Sequence, residues 1–451
     1  MPSPAMSVVA PLYLFACLVL GGSAQGIWTN AALQLVGLAI IAWSIIANRS
    51  PFPSAARPPL LLVIAAIMLV VLQEIPLSPS FWAHGTRGRI VESYAILARP
   101  APALPISFTP YESLSAVFCL IPPLAMFCAV VRSDAKRRSL LAAALLSATA
   151  LGILLGALQV VSADAGSRWY LYGHTNRGLA VGFFANANHM ATLLVISIPF
   201  IAAIAASVRS SNVQRYSAVL SVLAGASLLL VVGLALNGSL AGYALAVPVI
   251  IASLMLTVPP TNRFRAWLAA AAALSTAAAI GAIATSSIGA AKLGVAADVS
   301  IQSREQMLQT TGRAIGESMP FGSGLGSFAK VYRLYERPDQ VTNEWVVHAH
   351  NDYAEVALEL GAGGIVLMLL FLAWWGTRVW AAWKYGEGGP FARAASIASA
   401  AVLAHSLVEF PLRTAAISGC FAMCLGLLGD RKTSARLDVA DLRPARHLVI
   451  R

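Results

Sequence analysis

Long apolar stretches constrain this chain more than any other feature of its sequence. Each is about 17–25 residues long, which is the length that a helix needs to cross a hydrocarbon core of about 30 Å. Charged residues are scarce: Asp, Glu, Lys and Arg make up 11% of the 451 residues, against roughly 25% in a soluble domain. The pattern predicts an all-α polytopic membrane protein and excludes disordered, collagen-like and disulfide-scaffold chains.

The hydropathy pattern predicts about twelve transmembrane helices, which places both termini on one side of the membrane. Their approximate cores are residues 7–22, 31–47, 60–76, 113–131, 139–161, 188–207, 216–236, 239–258, 266–285, 353–375, 393–409 and 411–428. Short basic connections and the basic tail 431–451 mark that side as cytoplasmic. We therefore predict one integral domain over 1–430, with a long periplasmic loop at about 286–352 between spans nine and ten, and a cytoplasmic tail over 431–451.

Arginines on the predicted outer loops run against the positive-inside trend. Any single one can neutralise a nearby acid or meet a lipid phosphate, but together they form a cationic mouth that suits an anionic substrate. They are Arg87, Arg89, Arg99, Arg168, Arg177, Arg304, Arg313, Arg333 and Arg337. The net charge of +12 does not predict nucleic-acid binding, because the basic residues are scattered between apolar stretches.

Transport is the alternative from a different functional class. The sequence shows no P-loop or Rossmann fingerprint that would support ATP-driven transport. A secondary transporter or flippase is expected to show polar or broken helices at the membrane midplane, and often a repeat between its halves. Neither pattern is visible here, since the polar residues gather at the outer rim.

The stretch 342–364 concentrates ionisable residues where the long outer loop enters the tenth span. Such residues near a span indicate function, because burying them costs free energy. His348 and His350 lack the i, i+4 spacing of helical metal ligands and an evident third ligand, so we predict no metal site and no cofactor. The spacing also directs His348 away from His350, so we expect it to matter less. Glu355 and Glu359 share one helix face, where an acidic start suited to the helix dipole is the alternative.

This stretch also carries a family resemblance. His350-Asn351, nine residues, Gly361, two residues and Gly364 are similar to the signature of O-antigen ligases and related bacterial oligosaccharide transferases. The resemblance implies a GT-C-like fold, a catalytic or acceptor-positioning role for His350, and a substrate-binding role for Asn351.

Residues 304–328, REQMLQTTGRAIGESMPFGSGLGSF, resemble the arginine, short helix, proline and glycine-rich turn of the same family. The resemblance implies that Arg304 grips the donor diphosphate and that Gly322, Gly324 and Gly326 line the donor site. Considered alone, glycines on a loop more often form turns than phosphate cradles.

Two further segments are similar to the family. GFFANANHMA at 182–191 implies that Asn186, Asn188 and His189 orient sugar hydroxyls, although helix capping explains one Asn equally well. HSLVEFPLR at 405–413 resembles the corner between the last two spans. Its Glu409 and Arg413 are four residues apart, but a proline between them interrupts the helix. The spacing therefore allows an ion pair between them but does not predict one.

The chain departs from the family at one turn. Many members carry a Ser-Arg pair between the seventh and eighth spans, and its arginine contacts the diphosphate. Here Ser239 is followed by Leu240. Either another cation replaces that arginine, with Arg177, Arg87 and Arg89 as candidates, or donor recognition differs.

The resemblance implies an inverting, metal-independent membrane glycosyltransferase of the bacterial inner membrane. Its donor is a polyprenyl-diphosphate-linked saccharide, and its acceptor is a hydroxyl of a glycolipid, such as lipid A-core, or of a glycan. His350 takes or orients the hydroxyl proton, and Arg304 stabilises the charge of the diphosphate. The complete His-Asn and glycine signature favours a ligase, with a polysaccharide polymerase as the close alternative.

Overall fold

The computed structural model describes residues 4–46, 50–82, 85–162, 167–209, 213–258, 263–284, 295–338, 341 and 345–429. All regular elements within these ranges are helical. In chain order the α-helices are α1 Met6–Leu20, α2 Ile27–Ile46, α3 Arg57–Gln73, α4 Gly85–Ile96, α5 Pro110–Phe118, α6 Ile121–Arg132, α7 Arg138–Val161, α8 Ala187–Val208, α9 Val213–Asn237, α10 Leu240–Leu254, α11 Phe264–Ala284, α12 Val295–Ser318, α13 Phe328–Tyr335, α14 Asp352–Lys384, α15 Gly389–His405 and α16 Ala415–Gly429.

Seven helical stretches of the described residues are long and apolar enough to cross a membrane. They are Ile27–Ile46, Ser54–Gln73, Pro110–Arg132, Ala135–Val161, Ala187–Val208, Val213–Asn237 and Asp352–Lys384. Shorter apolar helices are Met6–Leu20, Leu240–Leu254, Phe264–Ala279 and Ala415–Gly429. The predicted all-α polytopic membrane protein is confirmed, whereas the count of twelve spans and the periplasmic side of the long loop stay predictions.

Large apolar side chains cover the outside of the bundle. Trp28, Trp267 and Leu35 are 86%, 74% and 69% exposed. So many exposed large apolar side chains are rare on soluble monomers. Their exposure costs free energy in water but not in the hydrocarbon of a membrane. Exposure therefore agrees with the membrane assignment that the apolar stretches predict.

The best-packed part of the bundle joins the first helices to the last. α16 packs against α6 and α15, α15 packs against α8, and α1 packs against α7. Fully buried Leu14, Leu145, Leu194 and Met423 lie at its centre. The segment with Asn188 and His189 lies on α8, and the corner motif lies between α15 and α16. Both motifs are thus held by the best-packed helices.

The described residues of the stretch predicted as a long loop, 286–352, include two helices, α12 and α13. α12 packs along α14, and α13 packs against both. On α13, Phe328, Val331 and Tyr332 are buried in a small separate core with Met307 and Leu358. Hydropathy alone did not indicate α12, because its sequence is too polar to read as a span.

Helix α14 is kinked where it meets the glycine-rich turn 322–326. Gly361 has φ +61°, inside an otherwise helical segment, and Gly322 has φ +80°. A Cβ on Gly361 would collide with the Pro320 carbonyl, and one on Gly322 with the Glu359 carbonyl. Both positions therefore require glycine, because the two backbones touch and both φ values are left-handed.

We expect Gly361→Ala to lower the melting temperature of the purified protein, because the backbone at φ +61° and ψ −148° costs a residue other than glycine about 1–3 kcal/mol and the added Cβ meets the Pro320 carbonyl. Gly376→Ala is the matched control, since it lies on the same helix with open space around it. Melting in detergent, followed by tryptophan fluorescence, compares the two. Equal melting temperatures would show that the kink tolerates a side chain.

Candidate active site

The predicted histidine signature lies where three parts of the bundle meet: the segment before α14, the start of α8, and the corner 406–414 between α15 and α16. Asn351 holds this junction together. Its Oδ1 caps α14 by accepting from the Ala354 N–H (3.0 Å), and its Nδ2 donates to the Leu407 carbonyl (2.9 Å). The hydroxyl of Ser406 donates to Asp352 (2.8 Å) in the same corner. The histidine motif is thereby fixed to the last two helices.

His350 combines a strained backbone with a buried carboxylate partner. Its φ is +49°, a conformation that costs a non-glycine residue free energy and is concentrated at functional sites. Its Nδ1 lies 3.2 Å from Oε2 of Glu409, at ion-pair distance rather than in hydrogen-bond geometry. The His350 side chain is 28% exposed, and that of Glu409 is 0% exposed. Catalytic hydrogen bonds are often poorly aligned before substrate binds.

Glu409 is itself held by a polar chain that crosses three elements. Asn188 at the start of α8 donates through Nδ2 to Oε1 of Glu409, and its Oδ1 accepts from the Ser239 hydroxyl (2.7 Å). Ser239 also caps α10 by accepting from the Gly242 N–H (3.1 Å). A carboxylate that accepts a hydrogen bond from Nδ1 fixes the tautomer and orientation of an imidazole, and Glu409 lies at the distance from which a small shift makes that bond. The chain from Ser239 through Asn188 and Glu409 therefore positions His350.

Phe410 is the common contact of three imidazoles. Its ring centroid lies 4.3 Å from that of His348, 4.9 Å from that of His350 and 5.1 Å from that of buried His189. His348 has a carboxylate of its own, since its Nδ1 is 2.9 Å from Oε1 of Glu355. His348 and His350 differ in orientation and face different carboxylates, as their spacing predicts, yet both rings pack on the Phe410 ring.

Arg413 ties the corner to the first turns of α14. Its guanidinium lies 3.2 Å from Glu355, 3.5 Å from Asp352 and 3.6 Å from Glu359. Burial lowers the pKa of Arg413, but these three carboxylates outweigh burial and raise the pKa well above its ordinary value. The shared helix face predicted for Glu355 and Glu359 is thus confirmed. The i, i+4 spacing of Glu409 and Arg413 does not pair them: Glu409 faces His350, while Arg413 faces α14.

The glycine-rich turn, with Gly322, Gly324 and Gly326, is fastened to α14. Backbone N–H groups of Ser323 and Gly324 donate to α14 carbonyls, both at 2.9 Å. The carboxylate of Glu359 accepts from the backbone N–H of Phe328 at the start of α13 (3.2 Å). These contacts explain the glycines as turn formers at a close backbone approach. Their predicted part in donor binding stays a prediction.

The cations predicted at the donor site are spread over three elements. Arg304 lies on α12, and Arg87 on α4, but both side chains fall outside the described residues. Arg177 is exposed on the loop before α8 and stacks over a tyrosine ring at 5.4 Å, and Arg89 is exposed on α4. Leu240 is the part-exposed first residue of α10, directly after the Ser239 cap.

Asn188 and His189 join the His350 cluster, Asn188 through Glu409 and His189 through Phe410. Their predicted part in orienting sugar hydroxyls stays a prediction. Asn186 caps α8 by accepting from the Asn188 N–H (2.8 Å), so the capping interpretation holds for it. Sequence reasoning missed Glu409 as the partner of His350. The corner motif was the available signal, but its side-chain directions depend on a short 3₁₀ turn, Pro411–Arg413, that spacing rules do not describe.

A part-exposed imidazole on a buried carboxylate, at one end of an apolar helical bundle, supports a membrane-embedded enzyme. Comparison with known families adds a likeness over part of the chain: residues 225–369 match the family model Wzy_C, described as O-antigen ligase. The match runs from α9 into α14 and includes Leu240, the glycine-rich turn and His350. It confirms the resemblance to the O-antigen ligase-related family. No curated protein matches the chain.

Proposed function

We propose that the protein transfers a saccharide from a polyprenyl-diphosphate carrier to an acceptor hydroxyl at the periplasmic face of the bacterial inner membrane, as an O-antigen ligase-like enzyme. The observation that carries the proposal is His350, held over buried Glu409 at the start of α14 within the matched region. The imidazole is open to substrate on one side and anchored by a fixed carboxylate on the other.

The reaction is a direct displacement. The acceptor oxygen attacks the anomeric carbon while its proton passes to Nε2 of His350, and the bond to the diphosphate breaks with its electron pair on the leaving oxygen. A single displacement inverts the anomeric configuration. Diphosphate is a good leaving group, so the site needs charge stabilisation rather than a glycosidase-type carboxylate pair.

Donor binding is the second half of the proposal. Arg304 belongs to α12, which packs along α14. In the sequence α12 directly precedes the glycine-rich turn 322–326, whose backbone is hydrogen-bonded to the Glu359 carbonyl. A guanidinium presents parallel donors to a phosphate, so we assign the diphosphate contact to Arg304. Arg177 is assigned to the second diphosphate contact, in place of the arginine that is missing at Leu240. Asn351 and His189 are assigned to the saccharide and the acceptor.

The proposed reaction is independent of metal ions. No group of three or more His, Cys, Asp or Glu side chains with metal-binding geometry occurs in the part of the chain that the structure describes. Charge stabilisation is assigned instead to protein cations, which can replace a divalent ion at a diphosphate.

Deletion of the gene, followed by analysis of surface glycans and lipid-linked intermediates, tests the function. For a ligase we expect loss of long chains from lipopolysaccharide while lipid-linked polymer is retained. Accumulation of single lipid-linked repeat units would assign the polymerase reaction instead. Unchanged glycans and intermediates would overturn both forms of the proposal.

A further inference from the structure

The active-site mouth contains a second imidazole and carboxylate pair that the reaction above does not use. His348 and Glu355 are 2.9 Å apart, and their side chains are 27% and 1% exposed. These values resemble those of His350 and Glu409, which are 3.2 Å apart with 28% and 0% exposed. Two pairs of the same construction therefore flank Phe410.

Glu355 has other partners that satisfy it. Its Oε2 accepts from the Ala349 N–H (3.1 Å), and its Oε1 lies 3.2 Å from Arg413. A buried carboxylate that already has a charged partner and a backbone donor does not need an imidazole to offset its burial. A purely structural role therefore leaves His348 and its exposure unexplained.

Both rings are held within reach of one substrate. The His348 ring stacks on Phe410 at 32°, whereas the His350 ring stands at 77° to it. Each Nδ1 faces a buried carboxylate, so Nε2 is the ring atom that remains for a ligand. The different tilts direct the two Nε2 atoms to different parts of that ligand.

The carboxylates around His348 would repel an anionic diphosphate, so this ligand needs a cationic group beside it. Arg413 faces three carboxylates there, those of Asp352, Glu355 and Glu359. An anionic diphosphate can approach such an acidic group only if a cation stands between them. An imidazolium held between Glu355 and a phosphate meets an anion on each side, and charge-assisted hydrogen bonds of this kind are the strong ones.

We propose that His348 is a second catalytic histidine, which donates a hydrogen bond from Nε2 to the departing diphosphate of the donor. This inference rests on the proposed function. As the acceptor proton passes to His350, the electron pair of the broken bond stays on the diphosphate oxygen. That oxygen accepts the His348 hydrogen bond, and no proton transfer from His348 is required.

Binding of a sugar-free polyprenyl diphosphate, compared with the polyprenyl monophosphate, tests the inference on purified full-length protein in liposomes. His348→Ala should weaken binding of the diphosphate by about 10- to 100-fold, as expected for a hydrogen bond to a charged group, with a smaller change for the monophosphate. His174→Ala is the matched control, because His174 is exposed on the loop before α8, and its binding should be unchanged.

If His348 only stabilises the fold, its substitution should change the melting temperature and not the preference for diphosphate over monophosphate. Both quantities are therefore measured. If His348→Ala does not fold, His348→Phe takes its place, since it keeps an aromatic ring against Phe410 but has no hydrogen-bond donor. Wild-type diphosphate preference in a folded His348 variant would overturn the inference and leave the proposed function standing. Failure of the wild-type protein to bind polyprenyl diphosphate would overturn both.

Discussion

His350→Ala is expected to lower the turnover of saccharide transfer by about 10²–10⁴-fold, the usual contribution of a general base, while the lipid-linked donor still binds. In the proposed reaction this imidazole removes the acceptor proton, and its Nδ1 lies 3.2 Å from the carboxylate of Glu409. Turnover of reconstituted protein at saturating donor and acceptor, together with donor binding, provides the measurement.

Two further variants separate the role of the His350 imidazole from that of its carboxylate and from unspecific effects. Glu409→Gln keeps the shape of the side chain but removes its charge, so turnover should fall less than in His350→Ala. His174→Ala changes an exposed histidine outside the cluster and should retain wild-type turnover. Near-normal turnover of His350→Ala at equal protein level would remove this histidine from the chemistry.

Arg413→Ala is expected to cause the largest loss of stability in the molecule. It leaves three carboxylates at the start of α14 without their guanidinium, and breaking a buried ion pair on one side costs about 3–5 kcal/mol. The Arg413 side chain is 24% exposed, and those of Glu355 and Glu359 are 1% and 0% exposed. We expect a strongly reduced yield of folded protein and a lower melting temperature in detergent.

A second substitution tests the cause of that loss. Adding Glu359→Gln to Arg413→Ala removes one unpaired charge, while the amide oxygen can still accept from the Phe328 N–H, so part of the stability should return. Arg99→Ala, at an exposed arginine, should leave melting unchanged. If the double variant melts no higher than Arg413→Ala, the carboxylates are not what Arg413 stabilises.

The apolar helices could be predicted from sequence because hydrocarbon leaves only one way to satisfy the backbone. A segment such as α8 must be helical wherever it crosses lipid, and its length follows from the apolar stretch. α12 could not be predicted in this way, since its polar residues carry no span signal. The kink at Gly361 also escaped prediction, because it depends on contact with the turn at Gly322.

In the candidate site, too, residues in sequence motifs could be predicted, whereas contacts that depend on packing could not. His350, Asn351 and Asn188 were identified because they stand in motifs with fixed spacing, and the structure brings them into one cluster. The pairing of Glu409 and Arg413 was left open because helical spacing rules fail at a proline corner. Sequence separation hides contacts such as Asn188 with Glu409, which only the packing of α8 against α15 creates.

The most direct test of the account measures products of purified protein in liposomes supplied with a polyprenyl-diphosphate-linked saccharide and a hydroxyl acceptor, with EDTA present. Wild-type protein is expected to form a glycosidic bond of inverted anomeric configuration and to release one polyprenyl diphosphate for each bond, and His350→Ala is expected to do neither at a comparable rate. Donor left intact by the wild-type protein, or consumed equally fast by His350→Ala, would contradict the account.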